Sequence, residues 1–139
     1  ASSENGEGAF LAMEKALKVA NLNPEDIDYI NAHGTATQNN DLSEGRAIDN
    51  IFGKNVPDFS STKPFTGHTL AAAAAIEAVY SILALQKNII FPNLNFKTKM
   101  EEFDLVPVTE LKEKNIENVL SNSFGFGGNC STVIFSKSK

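Results

Sequence analysis

Three stretches of this 139-residue sequence carry reactive side chains outside the faces of any expected helix. In NAHGTAT, Asn31 to Thr37, His33 stands with Thr35 and Thr37 on a turn just after a strand-like run. Loops at the carboxyl ends of strands are where open α/β sheets place ligands. In STKPFTGHTL, Lys63 precedes His68, and His68 stands at the start of a long apolar helix. The positive end of a helix dipole disfavours an imidazolium. Such a histidine stays neutral near pH 7 and can donate a hydrogen bond to a carbonyl or enolate oxygen. In NDLSEG, Asp41 and Glu44 have the D-x-x-E spacing of a capping box, and the same helix can turn Glu44 towards Lys63. Each stretch also has a plain structural reading: a turn residue for His33, a packed helix start for His68, and a cap for the two acids.

The only cysteine, Cys130, comes directly after a glycine-rich run in NSFGFGGNCSTVIF. A lone cysteine is a nucleophile candidate, yet its thiol ionises readily only beside a base or at a helix N-terminus. Cys130 leads instead into the strand-like STVIFS. The sequence therefore favours a half-buried thiol at a strand start. A dinucleotide fingerprint fails, because Cys130 occupies the place of the third glycine after Gly125 and Gly127. The two histidines and the cysteine also lack the close-pair spacing of zinc ligands.

The elements that must position these groups are set by periodicity. Phe10, Met13, Leu17 and Ala20 recur at helical spacing over Gly8 to Ala20, and NLNPED ends that helix. Ile27 to Asn31 reads as a short strand. Asp41 is the expected N-cap of a second helix with Leu42, Gly45, Ile48 and Phe52 on one face and Gly53 as its stop. VPDFSST is a weak strand or turn. Gly67 to Gln86 forms an alanine-rich helix, apolar on nearly all sides and so expected to be buried between layers. Asn88 to Lys114 reads as mostly loop with a short strand near Leu105, and NVLSNSF and STVIFS close the chain as two strands. Strands interleaved with helices give an α/β layered fold.

Composition narrows the function classes. The chain is 42% hydrophobic and 21% charged, a globular profile, and its length suits one domain. With a net charge of −5 and scattered lysines, it has no electrostatic footprint for nucleic acid. A single cysteine cannot form an internal disulfide, which points to a reducing compartment, the cytoplasm. ASSENGEGAF has no signal-peptide character. TLAAAAAIEAVYSILALQ approaches membrane length, but Glu77 and Ser81 interrupt it, so a buried helix is expected rather than a span.

YINAHGTATQNND, STKPFTGH and NSFGFGG, in this order and spacing, closely resemble the C-terminal half of β-ketoacyl-[acyl carrier protein] synthases of the elongating type. The likeness runs from ENGEGAFLAMEKAL through IEAVYSILALQ to VIFSK. It implies one half of a thiolase-like fold, a mixed sheet layered with helices. It also implies decarboxylative Claisen condensation between an acyl thioester on a cysteine and malonyl-carrier protein, in fatty acid or related polyketide or polyene biosynthesis.

By resemblance His33 and His68 are the catalytic pair that donates to the malonyl thioester oxygen. Lys63 is the lysine beside them, Glu44 its carboxylate partner, and Asp41 an acid that orders the loop. Thr35 and Thr37 match the residues that bond the phosphopantetheine arm. Phe124 and Phe126, with Gly125, Gly127 and Gly128, match a mobile loop lining the acyl and malonyl pockets.

No cofactor of the chain's own is implied, since phosphopantetheine arrives on the acyl carrier protein, and the full-length enzymes are homodimers. On this reading residues 1–139 are a C-terminal domain beginning at Ala1 within a loop, and the N-terminal half with its nucleophilic cysteine is absent. Three positions depart from the family pattern: Ala71 and Ala74 stand where glycines are usual, and Cys130 where asparagine is common. A non-catalytic subunit of the chain-length-factor type is the alternative, which retention of His33, Lys63 and His68 disfavours. A thiolase is disfavoured because its second cysteine precedes the glycine run. A free-standing carrier-protein-binding module is the last alternative.

Overall fold

The computed structural model describes Ser3 and residues 5–138; the loop expected at Ala1 lies outside the described residues. Helix α1, Glu7–Ala20, buries Ala9, Met13 and Leu17 at intervals of one helical turn. Phe10 is only partly buried, and Ala20, expected on the apolar stripe, is exposed. Asn21 ends the helix in the left-handed conformation, its N–H bonded back to Leu17 and Lys18.

Four strands form one mixed sheet: β1 (Tyr29–Asn31), β2 (Asp58–Ser60), β5 (Asn118–Phe124) and β6 (Cys130–Ser136), in the order β2-β1-β5-β6. β1 runs parallel to both β2 and β5, and β6 runs antiparallel to β5. Strand alternation sorts the core into two layers. Ile30 and Leu120 face α1 and α2 (Gln38–Phe52) together with Ile48 and Phe52. Tyr29 and Val119 face the opposite side, against Ala84 and Leu85 of α4 (Ala73–Lys87). The result is a helix–sheet–helix sandwich, as interleaved elements require.

Three expectations are corrected. Helix α2 begins earlier than Asp41: its N-cap is Thr37, whose hydroxyl accepts from the Asn40 N–H. Asp41 lies within the first turn, so the capping box with Glu44 does not form. The alanine-rich segment is not one helix from Gly67. A single turn, α3 (Lys63–Thr66), and a 3₁₀ turn, Leu70–Ala72, precede α4, because Leu70 takes a left-handed φ of 54° that no continuous helix contains. The short strand expected near Leu105 lies instead at β4 (Lys112–Glu113), paired antiparallel with β3 (Ile89–Ile90).

Leu70–Lys87 is long and apolar enough to cross a membrane by length and composition alone. In the fold, its Glu77, Ser81, Ala84 and Leu85 are buried and Ser81 Oγ donates to the Glu77 carbonyl at 2.8 Å. The opposite face, including Val79 at 57% and Ile82 at 39% exposure, is open among the described residues. A helix apolar on all sides needs cover from two directions, and this chain supplies one.

Candidate active site

The site is built at the carboxyl ends of β1 and β5. Beyond Asn31 the chain turns through Ala32 to Gly34, where a φ of 46° and the Ser61 side chain leave no room for a Cβ, which would lie 2.5 Å from Ser61 Cβ. Helix α2 then delivers Glu44 beneath this turn. Glu44 is 3% exposed, and its carboxylate accepts four hydrogen bonds: from the His33 N–H at 2.9 Å, the Gly34 N–H at 3.0 Å, Asn40 Nδ2 at 3.2 Å and Asn122 Nδ2 at 3.1 Å. Backbone amides that no sheet or helix satisfies are thus bound by a charged acceptor, a stronger arrangement than a neutral one.

Lys63 enters from α3. Its ammonium donates to the His33 carbonyl at 2.5 Å, lies 3.4 Å from His33 Nδ1, and pairs with Glu77 of α4. The carboxylate partner of Lys63 is therefore Glu77, not Glu44 as expected. Glu44 is committed to the loop amides, whereas Glu77 projects from the face of α4 that meets the sheet. Burial holds the Glu77 carboxyl above the usual carboxylate range against the pull of Lys63. The sequence carries a signal for Glu77, a lone acid in an otherwise apolar helix that must find a cation once buried. It carries none for Asn122 and Asn40.

The two histidines meet. Their ring centroids are 5.5 Å apart at 86°, and the Phe124 ring lies 5.3 Å from that of His33. His33 is buried, and burial first, then the charges of Lys63 and His68, lower its pKa to about 4, so the ring is neutral at pH 7. With the Lys63 ammonium donating to Nδ1, the proton of the neutral ring sits on Nε2. His68 reaches the same tautomer by another route. The Leu70 N–H donates to its Nδ1 at 3.2 Å, so Nε2 is again the donor. The helix dipole plays no part, because α4 begins five residues later and its field fades within a turn.

Both rings, with Leu70, Phe124 and Cys130, line a cavity of about 300 Å³. A larger cavity of about 720 Å³ on the far side of His68 is lined by Thr35, Asp41, Glu44 and Lys63 and walled by the segment 93–107. Asp41 is half-buried there, its carboxyl raised by that burial. The hydroxyls of Thr35 and Thr37 are 3.2 Å apart on the exposed loop.

The glycine-rich stretch divides into two parts. Phe124 is buried in the core against α1, while Phe126 is 86% exposed on the turn Phe126–Gly128. Gly127 and Gly128 take φ of 79° and 83°, values only glycine adopts without strain, and the Gly125 N–H closes the loop on the Asn129 carbonyl at 2.7 Å. Cys130 is half-buried at the start of β6, and burial pushes its thiol pKa up. That is the opposite of an activated nucleophile, in line with the sequence reading.

Residues 1–97 match the family described as Beta-ketoacyl synthase, C-terminal domain. The chain belongs to this family. It is 44% identical over 138 residues to the mitochondrial 3-oxoacyl-[acyl-carrier-protein] synthase of Arabidopsis thaliana, covering 95% of this chain and 30% of the relative. Among solved structures, a type II polyketide synthase acyl-carrier protein in complex with its ketosynthase superposes with a TM-score of 0.93 at 32% identity, over 99% of this chain and 34% of that one. A ketosynthase in complex with its chain length factor from Xenorhabdus doucetiae gives 0.87 at 37% identity, over 99% and 35%. The fold is thus that of one half of a thiolase-like ketosynthase, and the chain spans about a third of the length of the curated relatives it matches.

Proposed function

We propose that residues 1–139 are the C-terminal domain of a 3-oxoacyl-[acyl carrier protein] synthase, an acyltransferase, and supply the oxyanion donors for decarboxylative condensation. The observation that carries this reading is the pair of histidines on one cavity, each with Nδ1 occupied as an acceptor and Nε2–H free to donate. Loss of CO₂ from a malonyl thioester leaves an electron pair on the enolate. The enolate carbon attacks an acyl thioester held on a cysteine of the rest of the protein. The tetrahedral centre collapses, expels that cysteine thiolate and leaves a 3-oxoacyl group on the carrier. Two fixed N–H donors at the enolate oxygen stabilise charge as it forms and need no reorganisation, commonly the largest catalytic contribution.

In this reading Glu44 and Lys63 hold His33, and Asp41 orders the loop. Thr35 and Thr37 take the amides of the phosphopantetheine arm, and Phe126 with its glycines gates the acyl cavity. The partners are an acyl carrier protein and a second copy of the full-length protein. The product feeds fatty acid or polyketide assembly. The proposed compartment is the cytoplasm, for which the single cysteine speaks, although the Arabidopsis relative is named as mitochondrial. Retention of both histidines and Lys63 favours a catalytic subunit over a chain-length-factor-like partner.

The test uses the full-length protein with acyl- and malonyl-carrier protein. His68→Ala should abolish condensation while the nucleophilic cysteine still acylates, and Cys130→Ser should change the rate by no more than about two-fold, because its thiol is not activated. The isolated chain should decarboxylate malonyl-carrier protein no faster than background. A stable acyl thioester on Cys130, or condensation that survives His68→Ala, would overturn the assignment.

A further inference from the structure

Asn122 lies in the middle of β5 on the face turned to α1 and α2, and it is fully buried. Its amide nitrogen donates to Glu44 Oε1 at 3.1 Å and lies 3.5 Å from Met13 Sδ. Its Oδ1 accepts from the hydroxyl of Thr132 at 2.8 Å. Thr132 is the residue directly opposite Asn122 across the β5–β6 ladder. A line of hydrogen bonds therefore runs through three elements and into a loop, from β6 to β5 to Glu44 of α2 to the amides of His33 and Gly34.

The two oxygens of Glu44 are used in a matched way. Oε1 takes the His33 N–H and Asn122 Nδ2, and Oε2 takes the Gly34 N–H and Asn40 Nδ2. Asn40 is four residues away on the same helix, so it turns with Glu44. Among the described residues, Asn122 is the one strand residue bonded to the carboxylate, and it ties the carboxylate to the sheet. Thr132 closes that tie, since it satisfies an amide oxygen that otherwise faces a buried, acceptor-rich environment.

We infer that Asn122, anchored by Thr132, is a positioning residue for His33, acting through Glu44. It fixes how the carboxylate presents its oxygens to the two loop amides, and so where the His33 ring stands relative to His68. The inference rests on the condensation reading for its effect on rate, but not for its effect on the loop.

Thr132→Val keeps the shape and removes the hydroxyl, while Thr132→Ser keeps the hydroxyl. Asn122→Asp retains the Thr132 bond but sets a second carboxylate against Glu44. In the full-length protein, Thr132→Val should lower kcat for condensation about ten-fold, as expected for one buried bond lost, with KM for malonyl-carrier protein and acylation of the nucleophile unchanged. Amide hydrogen exchange at His33 and Gly34 should quicken by a similar factor. Thr132→Ser should restore both, and Asn122→Asp should cost more than either. Exchange at His33 and Gly34 that stays as slow in Thr132→Val as in the unaltered protein would overturn the inference, whatever the activity. Faster exchange in Thr132→Val alongside an unaltered protein that never condenses would sink the condensation reading and leave the positioning role standing.

Discussion

His33 and His68 share a cavity and a tautomer, yet they are held in opposite ways. His33 is 6% exposed. Its two neighbouring amides rest on Glu44, its carbonyl and Nδ1 on Lys63, and one flank on Phe124. His68 is exposed and rests on one backbone N–H, that of Leu70, in a loop between two short helical turns. Much of the chain's buried polar chemistry therefore serves one ring. The more heavily held histidine is neutral because its surroundings make it so, and the other is oriented by the Leu70 backbone N–H and its contact with the His33 ring. On the proposed function, a fixed donor beside an adjustable one suits a site that admits a thioester arm and then converges on its oxygen.

Removing Lys63 should break this contrast most severely. Lys63→Met leaves the Glu77 carboxylate buried without its cation and the His33 carbonyl without its donor. Loss of one member of a buried pair costs about 3–5 kcal/mol, measurable by denaturant unfolding of the full-length protein. It should also let the His33 pKa rise from about 4, since one of the charges that depress it is gone.

At His68 the effects should be small. Leu70 holds a left-handed φ of 54°, which costs a non-glycine residue about 1–2 kcal/mol. Leu70→Gly relieves that strain and keeps the N–H that fixes His68. Stability should shift by less than about 1 kcal/mol, because glycine's added freedom in the unfolded chain offsets the relief, and the His68 tautomer should not change. A tautomer switch on His68 would show that the Leu70 N–H is not what orients it.

The contrast between the two rings also marks what is legible in the sequence and what is not. Helical and strand periods expose the α1 stripe and the two closing strands, because burial there is one-sided and local. His33 in its turn is legible for the same reason: small residues after an apolar strand leave it few other places. The role of Glu44 is hidden, because D-x-x-E spacing describes a local cap, whereas the residue's partners lie 10 and 78 positions away. Glu77 registers in the sequence only as an interruption in an apolar run. Its pairing with Lys63 depends on α3 and α4 meeting at the sheet end, which no spacing encodes. The start of α4 escapes a reading of composition because a left-handed leucine leaves no mark there. The family resemblance supplies the roles, and the fold supplies the partners.

At working pH His33 is a neutral donor that carries its proton on Nε2. The sign of the linkage is set by its depressed pKa. Between pH 6.5 and about 4 the unfolded chain takes up a proton that the folded ring refuses, so the stability this ring contributes at neutral pH is lost as pH falls through that window. The most direct test is a ¹⁵N NMR titration of the histidine side chains in the full-length protein, assigned with His33→Gln and His68→Gln. His33 should keep the Nε2–H tautomer from pH 8 downward and take a second proton only near pH 4. A His33 ring that titrates close to 6.5, or that carries its proton on Nδ1, would contradict this account.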